Sequence, residues 1–182
     1  AKSVTEYRDD GILPEAMLNY LACLGWNDGT EQEIYSLEEL IEKFSVHRIQ
    51  NSGARFDEVK ILWMNGQWIR KIATEQGIDE LFARTCETVG SEDFSRYDLF
   101  QPIDFWPASA KQETIDYKKS VLAIIYDRLE TLSDLRTMTT YFFEDPTIDL
   151  SMITGSKFLK KYSEQELVSL LTEAIEAFND VD

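Results

Sequence analysis

Three Ser-x-x-Glu spacings punctuate the chain, at Ser3 and Glu6, Ser36 and Glu39, and Ser163 and Glu166. In this arrangement the serine hydroxyl accepts from a backbone N–H three residues on, and the glutamate returns to the serine's own N–H. Two of the donors that every helix start leaves orphaned are satisfied together. A chain that marks its helix starts in this way, and offers no alternating apolar–polar run of strand length, is predicted to be mainly α. A short β element near Gln32–Ser36 is the one departure the pattern allows.

The helices follow from caps, apolar spacing and breakers. Ser3 opens a short helix that Gly11 ends. Pro14 suits the first position of a second helix, because its missing N–H would be unpaired there anyway. Met17, Leu18, Leu21 and Leu24 are spaced as its buried face, and Leu18, Leu21 and Trp26 are expected to pack in the core. Gly25 stands where a left-handed terminal residue is wanted. The Ser36 helix puts Leu37, Leu40, Ile41 and Phe44 on one face. Another starts at Asp57 and is expected to stop at Asn65–Gly66. Helices at about Ile78–Val89 and Ser91–Phe100 precede Pro102 and Pro107, which forbid a continuous helix. A long helix is predicted from about Gln112 to Leu132, with Ile115, Leu122, Ile125, Leu129 and Leu132 on its packing stripe. Ser133 is placed to cap one more, through Phe143 and short of Pro146. The Ser163 helix, with Leu167, Leu170, Leu171, Ala174, Ile175 and Phe178, has the clearest amphipathic pattern.

Charge bounds the partners. Eighteen Lys and Arg against 34 Asp and Glu give a net charge of −16. Taken alone, this opposes a nucleic-acid partner, because cations supply most non-specific affinity for phosphates. The distribution over faces matters more than the average, and small basic clusters stand at Arg70–Lys71, Lys118–Lys119 and Lys157–Lys160–Lys161. Cys23 and Cys86 lie in apolar helical patterns and read as buried free thiols. With one histidine, His47, the chain lacks the ligands of a zinc site, and no metal is expected. No Gly-rich phosphate loop and no nucleophile elbow occurs, so no catalytic residue is assigned. No apolar run approaches the ~20 residues that cross a bilayer. The first residues lack the apolar stretch of a secretory signal, so a soluble cytoplasmic chain without membrane contact is expected. The residues alone describe a helical binding module.

Three blocks say more. Ser3 to Gly29, "SVTEYRDDGILPEAMLNYLACLGWNDG", Phe56 to Arg70, "FDEVKILWMNGQWIR", and Arg128 to Pro146, "RLETLSDLRTMTTYFFEDP", occur in this order and cover about a third of the chain. Together they resemble the C-terminal half of bacterial-type glutamyl-tRNA synthetases. In that family the first block follows the Lys-Met-Ser-Lys-Arg-type signature loop of class I synthetases. The His-Ile-Gly-His-type signature of the catalytic domain and the family's final Pro-Gly-Leu-Phe-containing segment do not occur in this sequence.

The resemblance implies an internal fragment. Residues 1–66 would be a small, mostly helical stem-contact and connecting region, and residues 67–182 the first part of a helical, bundle-like anticodon-binding subdomain. The parent would be a glutamate–tRNA ligase, with this fragment inactive alone. No cofactor is implied here, since ATP and glutamate would bind the missing catalytic domain. The implied partner is tRNA(Glu), and the implied state a monomer. Lys2 and Arg8 fall beside the signature loop, where the family approaches the inner corner of the tRNA. Arg128 and Arg136 fall on helices that face the anticodon stem-loop in the family. These four are the RNA-binding candidates, each with a surface salt bridge as its ordinary alternative. Tyr141, Phe142 and Phe143 read either as base-stacking rings or as helix-packing core. The rival function is a helical protein–protein interaction module without RNA binding.

Overall fold

A computed structural model describes residues 2–50, 53, 55–85, 104–145, 157, 159 and 161–179. The chain divides into two compact units, Ala1–Glu144 and Asp145–Asp182. The first holds α1 (Val4–Asp9), α2 (Pro14–Cys23), α3 (Leu37–Lys43), α4 (Glu58–Glu75), α5 (Ile78–Thr85), α6 (Ile115–Ile125) and α7 (Leu135–Met138). The second holds α8 (Glu164–Asn179). The mainly α expectation is met. Residues 32–36 form no strand, and the described residues contain an isolated antiparallel bridge between Trp26 and Ile49 instead.

The capping chemistry works as read. Ser3 with Glu6 and Ser36 with Glu39 close full capping boxes, and Asp57 accepts from the N–H groups of Val59 and Lys60 at the start of α4. In the second unit the Ser163 N–H donates to Glu166 at 2.7 Å. There Val168, Leu170, Leu171 and Ile175 remain exposed along α8.

The core of the first unit is organised by α4. Ile61, Met64, Trp68, Ile69 and Ile72 are buried against Leu13, Ala16 and Tyr20 of the α2 region, Leu81 of α5, and Leu122, Ile125, Leu129, Leu132 and Leu135. At ~1.5–3 kcal/mol for each fully buried large apolar side chain, this cluster is the main stabilising element of the unit. Trp26, Tyr35 and Leu40 form a separate small cluster.

Several expected elements differ, each for a tertiary reason. α4 does not stop at Asn65–Gly66 but runs on to Glu75. The Asn65 amide is consumed by other segments: its oxygen accepts from the Leu13 N–H at 2.8 Å, and its nitrogen donates to the carbonyls of Gly11 (3.2 Å) and Glu130 (2.7 Å). Gly66 is there because a Cβ would stand 3.1 Å from the Leu129 carbonyl oxygen. Gly11 follows the end of α1, as expected, and is left-handed, with φ of 83°. Gly25 is not, and α2 ends on Leu24 in a right-handed conformation.

The buried face of α2 is also not the one its leucines suggest. Ala16, Asn19 and Tyr20 are buried, whereas Leu18 and Leu21 are 46% and 50% exposed, and Trp26 is buried as expected. The Asn19 oxygen accepts from the Tyr35 N–H and the Trp68 indole, each at 3.1 Å, so a polar side chain is fully satisfied inside. On α3 only Leu40 of the expected face is buried, with Leu37, Ile41 and Phe44 exposed. The long helix to Leu132 is broken: α6 starts after the Thr114 cap and ends at Ile125, followed by a 3-10 turn at Tyr126–Arg128 and an extended Leu129. Ser133 caps nothing. Its hydroxyl donates to the Asp10 carbonyl, and Asp134 accepts from the Glu130 and Thr131 N–H groups instead. The segment through Phe143 is therefore α7 between two 3-10 turns. Cys86 and the predicted helix at Ser91–Phe100 lie outside the described residues.

Candidate nucleic-acid interface

The three sequence blocks meet at one junction. Asn65 of the second block holds Leu13 and Gly11 of the first and Glu130 of the third, while the Leu132 N–H donates to the Gly11 carbonyl at 3.1 Å. Arg70, a turn further along α4, donates from Nη1 to the Asp127 carbonyl at 2.9 Å. These bonds fix residues 127–136 on the unit, and with them two of the four candidate RNA contacts.

The cations divide into two populations. Before residue 86, most are cancelled by carboxylates. Lys2 pairs with Asp10, and Arg8 donates through Nε and Nη2 to Asp9 at 3.0 and 2.7 Å. Lys60 pairs with Glu33 at 2.5 Å, Lys71 with Glu75 at 2.7 Å, and Lys43 with Asp28 at 3.3 Å. Arg84 ties Glu15 of α2 to Glu80 of α5, at 2.9 and 3.0 Å.

Between residues 104 and 145 the balance differs. Lys119 pairs with Asp79 at 2.7 Å. Lys111, Lys118, Arg128 and Arg136 make no ion pair among the described residues. Arg136 donates to the Asp104 carbonyl at 3.0 Å and lies 5.7 Å from the centre of the Phe105 ring. Lys118 lies 5.9 Å from the centre of the Trp106 ring. Cations held by rings and carbonyls keep their full charge for an outside anion. Two carboxylates of the segment bond to backbone groups rather than to these cations: Asp104 accepts from the Trp106 N–H, and Asp134 from Glu130 and Thr131.

The aromatic trio separates into its two readings. Phe142 and Phe143 are half-buried and pack on the core, Phe143 against Trp106 and Tyr117. Tyr141 is 59% exposed, with its ring centre 4.3 Å from that of Phe142. Of the four sequence-predicted residues, then, Arg128 and Arg136 lie in the segment of free cations, while Lys2 and Arg8 are engaged by Asp10 and Asp9. Lys118 is the cation the sequence did not single out as a contact, and Tyr141 is the ring of the trio that stays open. The Lys118–Lys119 cluster was the available signal, and only the fold separates the free lysine from the paired one.

Other chemistry has little footing. Burial pushes the Cys23 thiol up, away from the thiolate a nucleophile needs. No group of three His, Cys, Asp or Glu side chains among the described residues is placed to hold a metal. No described helix is long and apolar enough to cross a membrane. An open groove of about 420 Å³, lined by Leu18, Ala22, Leu37, Leu40, Ile41 and Phe44, lies between α2 and α3.

Comparison with known proteins bears on the fold and the family. Residues 1–63 match the family described as tRNA synthetases class I (E and Q), catalytic domain, and residues 95–182 match the anticodon binding domain family. The glutamate–tRNA ligase of Moorella thermoacetica is 36% identical over 147 residues, which is 81% of this chain and 27% of that protein. That of Flavobacterium psychrophilum is 37% identical over 141 residues, 78% of this chain and 24% of that protein. That of Phocaeicola vulgatus is 33% identical over 174 residues, 96% of this chain and 30% of that protein. The crystal structure of a glutamate tRNA ligase from Elizabethkingia meningosepticum, in complex with its amino acid, superposes with a TM-score of 0.64 at 24% identity, over 97% of this chain and 30% of that one, and speaks for the fold. This chain spans less than a third of the length of the curated relatives it matches. Two family matches in order, and relatives above 30% identity along most of the sequence, place it: the chain belongs to the glutamate–tRNA ligase family.

Proposed function

We propose that this chain is the tRNA-binding part of a glutamate–tRNA ligase, which joins glutamate to tRNA(Glu) with ATP. The observation that carries the reading is the group of cations left free of carboxylates between residues 104 and 136, inside a chain of net charge −16. That segment overlaps the match to the anticodon binding domain family. Arg128 and Arg136 are the proposed contacts to the anticodon stem-loop. Lys2 and Arg8 are proposed for the inner corner of the tRNA, where phosphate would have to displace Asp10 and Asp9. ATP and glutamate would bind residues of the parent protein other than these, and the working state would be a cytoplasmic monomer. The division near residue 66, stem contact before and anticodon contact after, would be one of RNA contacts along the continuous helix α4 rather than of separately folding bodies.

Few free cations and a large negative charge together imply weak, salt-sensitive binding. The test is a titration of labelled tRNA(Glu) at low salt with the 182-residue chain. Arg128→Glu and Arg136→Glu should each weaken binding, whereas Lys60→Glu, whose charge Glu33 already cancels, should do little. Arg84 is an unsuitable control, because its reversal would break two ion pairs between α2 and α5. Absence of binding at low salt, or equal effects of all three reversals, overturns the reading. The open apolar groove between α2 and α3 favours the rival, a protein-docking module, which predicts no binding in the same titration.

A further inference from the structure

The groove between α2 and α3 has a floor, two walls and a charged rim. Leu40 is its floor, buried with Trp26 and Tyr35. Leu18 and Ala22 line it from α2, and Leu37, Ile41 and Phe44 from α3. Of these, Leu18, Leu37, Ile41 and Phe44 are exposed, Ile41 to 74%. Single exposed apolar side chains are ordinary on a protein surface, but a group of them around a concave volume of about 420 Å³ marks an interaction site.

The walls are fixed before any partner arrives. The Asn19 side chain accepts from the Tyr35 N–H at 3.1 Å and donates to the Glu33 carbonyl at 3.0 Å, which ties the segment entering α3 to α2. At the other end of α3 the Phe44 ring centre lies 5.3 Å from that of Trp26. A groove held open in this way loses little freedom on binding.

The rim decides the kind of partner. Glu38 and Glu42 are exposed, stand one turn apart on α3 and flank Ile41 on the side away from Leu40. Neither makes an ion pair among the described residues. Like charges at this spacing repel, and a cation between them relieves both. Lys43, the only Lys or Arg of the two helices, is already paired with Asp28 and bonded to Gln32. A second copy of the chain would bring the same acidic rim and another net charge of −16. An anionic lipid surface is repelled for the same reason. An extended peptide finds no sheet edge between two helices. A helix needs none, because its own backbone is bonded internally.

We propose that the α2–α3 groove docks an amphipathic helix of a partner protein, with apolar anchors on one face and Lys or Arg along the flank that meets Glu38 and Glu42. At ~1.5 Å per residue α2 and α3 are roughly 15 and 10 Å long, which admits two or three turns of the partner with anchors spaced i, i+4 and i+7. The site goes beyond the RNA-binding reading and does not rest on it, since no groove residue is an RNA-binding candidate.

The experiment is fluorescence anisotropy of the 182-residue chain with a labelled amphipathic peptide that carries leucines at i, i+4 and i+7 and lysines on one flank. A staple on its far face holds it helical, because so short a helix is marginal in water. The control peptide has glutamates in place of the lysines. The chain should bind the lysine peptide saturably and prefer it to the control. Ile41→Ser should weaken binding by ~5- to 30-fold, the range for losing a buried anchor. Glu38→Lys combined with Glu42→Lys should invert the preference between the peptides. All three positions are exposed, so circular dichroism should show each variant folded as wild type. No saturable binding, equal affinity for the two peptides, or an Ile41→Ser variant that binds as wild type overturns the proposal. So does sedimentation in which the wild type self-associates and Ile41→Ser does not, because a second copy then fills the groove. The last arm is a full-length glutamate–tRNA ligase that keeps the groove residues. If the 182-residue chain binds the peptide and the longer ligase does not, other parts of the ligase cover the groove and the proposal falls.

Discussion

The side-chain oxygen of Asn65 accepts a hydrogen bond from the backbone N–H of Leu13, 52 residues earlier, at 2.8 Å inside the core. The same amide donates to the carbonyls of Gly11 and Glu130. One side chain thus satisfies three backbone groups from two loops, in a place where water cannot. Asn65→Ala should strand the Leu13 N–H and the Glu130 carbonyl, whereas the Gly11 carbonyl keeps the Leu132 N–H. A buried unsatisfied group costs ~1–3 kcal/mol, so a loss of at least ~2 kcal/mol is expected. Urea denaturation followed by circular dichroism measures it, and a midpoint within error of wild type would show that the junction is not a keystone.

Gly11 and Gly25 both follow helices, but their substitutions should behave differently. Gly11 has φ of 83°, and a Cβ there would lie 2.6 Å from the Leu132 backbone nitrogen. Gly11→Ala combines the left-handed penalty of roughly 1–2 kcal/mol with a backbone clash that must push two segments apart. Around Gly25 nothing stands within 4 Å of a Cβ, and φ is not positive. Gly25→Ala should change stability by no more than ~0.5 kcal/mol. Thermal melts of the two variants check the contrast.

Leu129 and Ile115 share the stripe read from the sequence, yet Leu129 is fully buried and Ile115 is 60% exposed. Leu129→Ala should leave a cavity and cost ~2–5 kcal/mol. Ile115→Ala, at the first turn of α6, should stay within ~0.5 kcal/mol of wild type. Equal losses in the two denaturation curves would mean that α6 continues through Leu129 after all.

The acid side of the stability profile has named sources. The Thr30 hydroxyl and then its backbone N–H donate to Asp28 and hold that carboxyl well below the usual carboxylate range. Glu6 and Glu39 are lowered by the backbone N–H groups of Ser3 and Ser36, with help from the Ser3 hydroxyl and the Gln32 amide respectively. Each group binds its proton less tightly folded than unfolded, so its contribution is present above the unfolded value near pH 4 and is lost as pH falls through the folded value. Denaturation midpoints should therefore be flat from about pH 7 to 5 and drop steadily below pH 4. Asp28→Asn should lower the midpoint at pH 7 and shrink the drop between pH 7 and pH 3. An unchanged drop would remove Asp28 from the account.

What could be read in advance was local. A capping box needs two side chains and one turn, so Ser3–Glu6, Ser36–Glu39 and Ser163–Glu166 are visible in four consecutive residues each. Gly11 was legible as the end of α1, since glycine just past a helix is a local stop signal. The misreadings share one cause, namely polar or small residues whose partners lie far along the chain. Asn65–Gly66 has the composition of a terminator, but its groups are matched by Leu13, Glu130 and Leu129, so the helix continues. Asn19 looks like a surface residue, but Tyr35 and Trp68 satisfy it, and the buried face of α2 turns toward it and away from Leu18 and Leu21.

The same division holds for the candidate interface. The three capping motifs and the three blocks were enough to establish helical content and family, because both rest on residue identity and order. Which cations remain free was not readable. Lys118 and Lys119 are adjacent and chemically identical, and one lies on Trp106 while the other pairs with Asp79. Tyr141 and Phe142 are adjacent, with one open and the other packed. The sequence by itself determined where α1, α3, α4 and α8 begin and which family the chain belongs to. Only the tertiary structure decided which charges and rings are left for a partner, because neutralisation and burial depend on contacts between residues tens of positions apart.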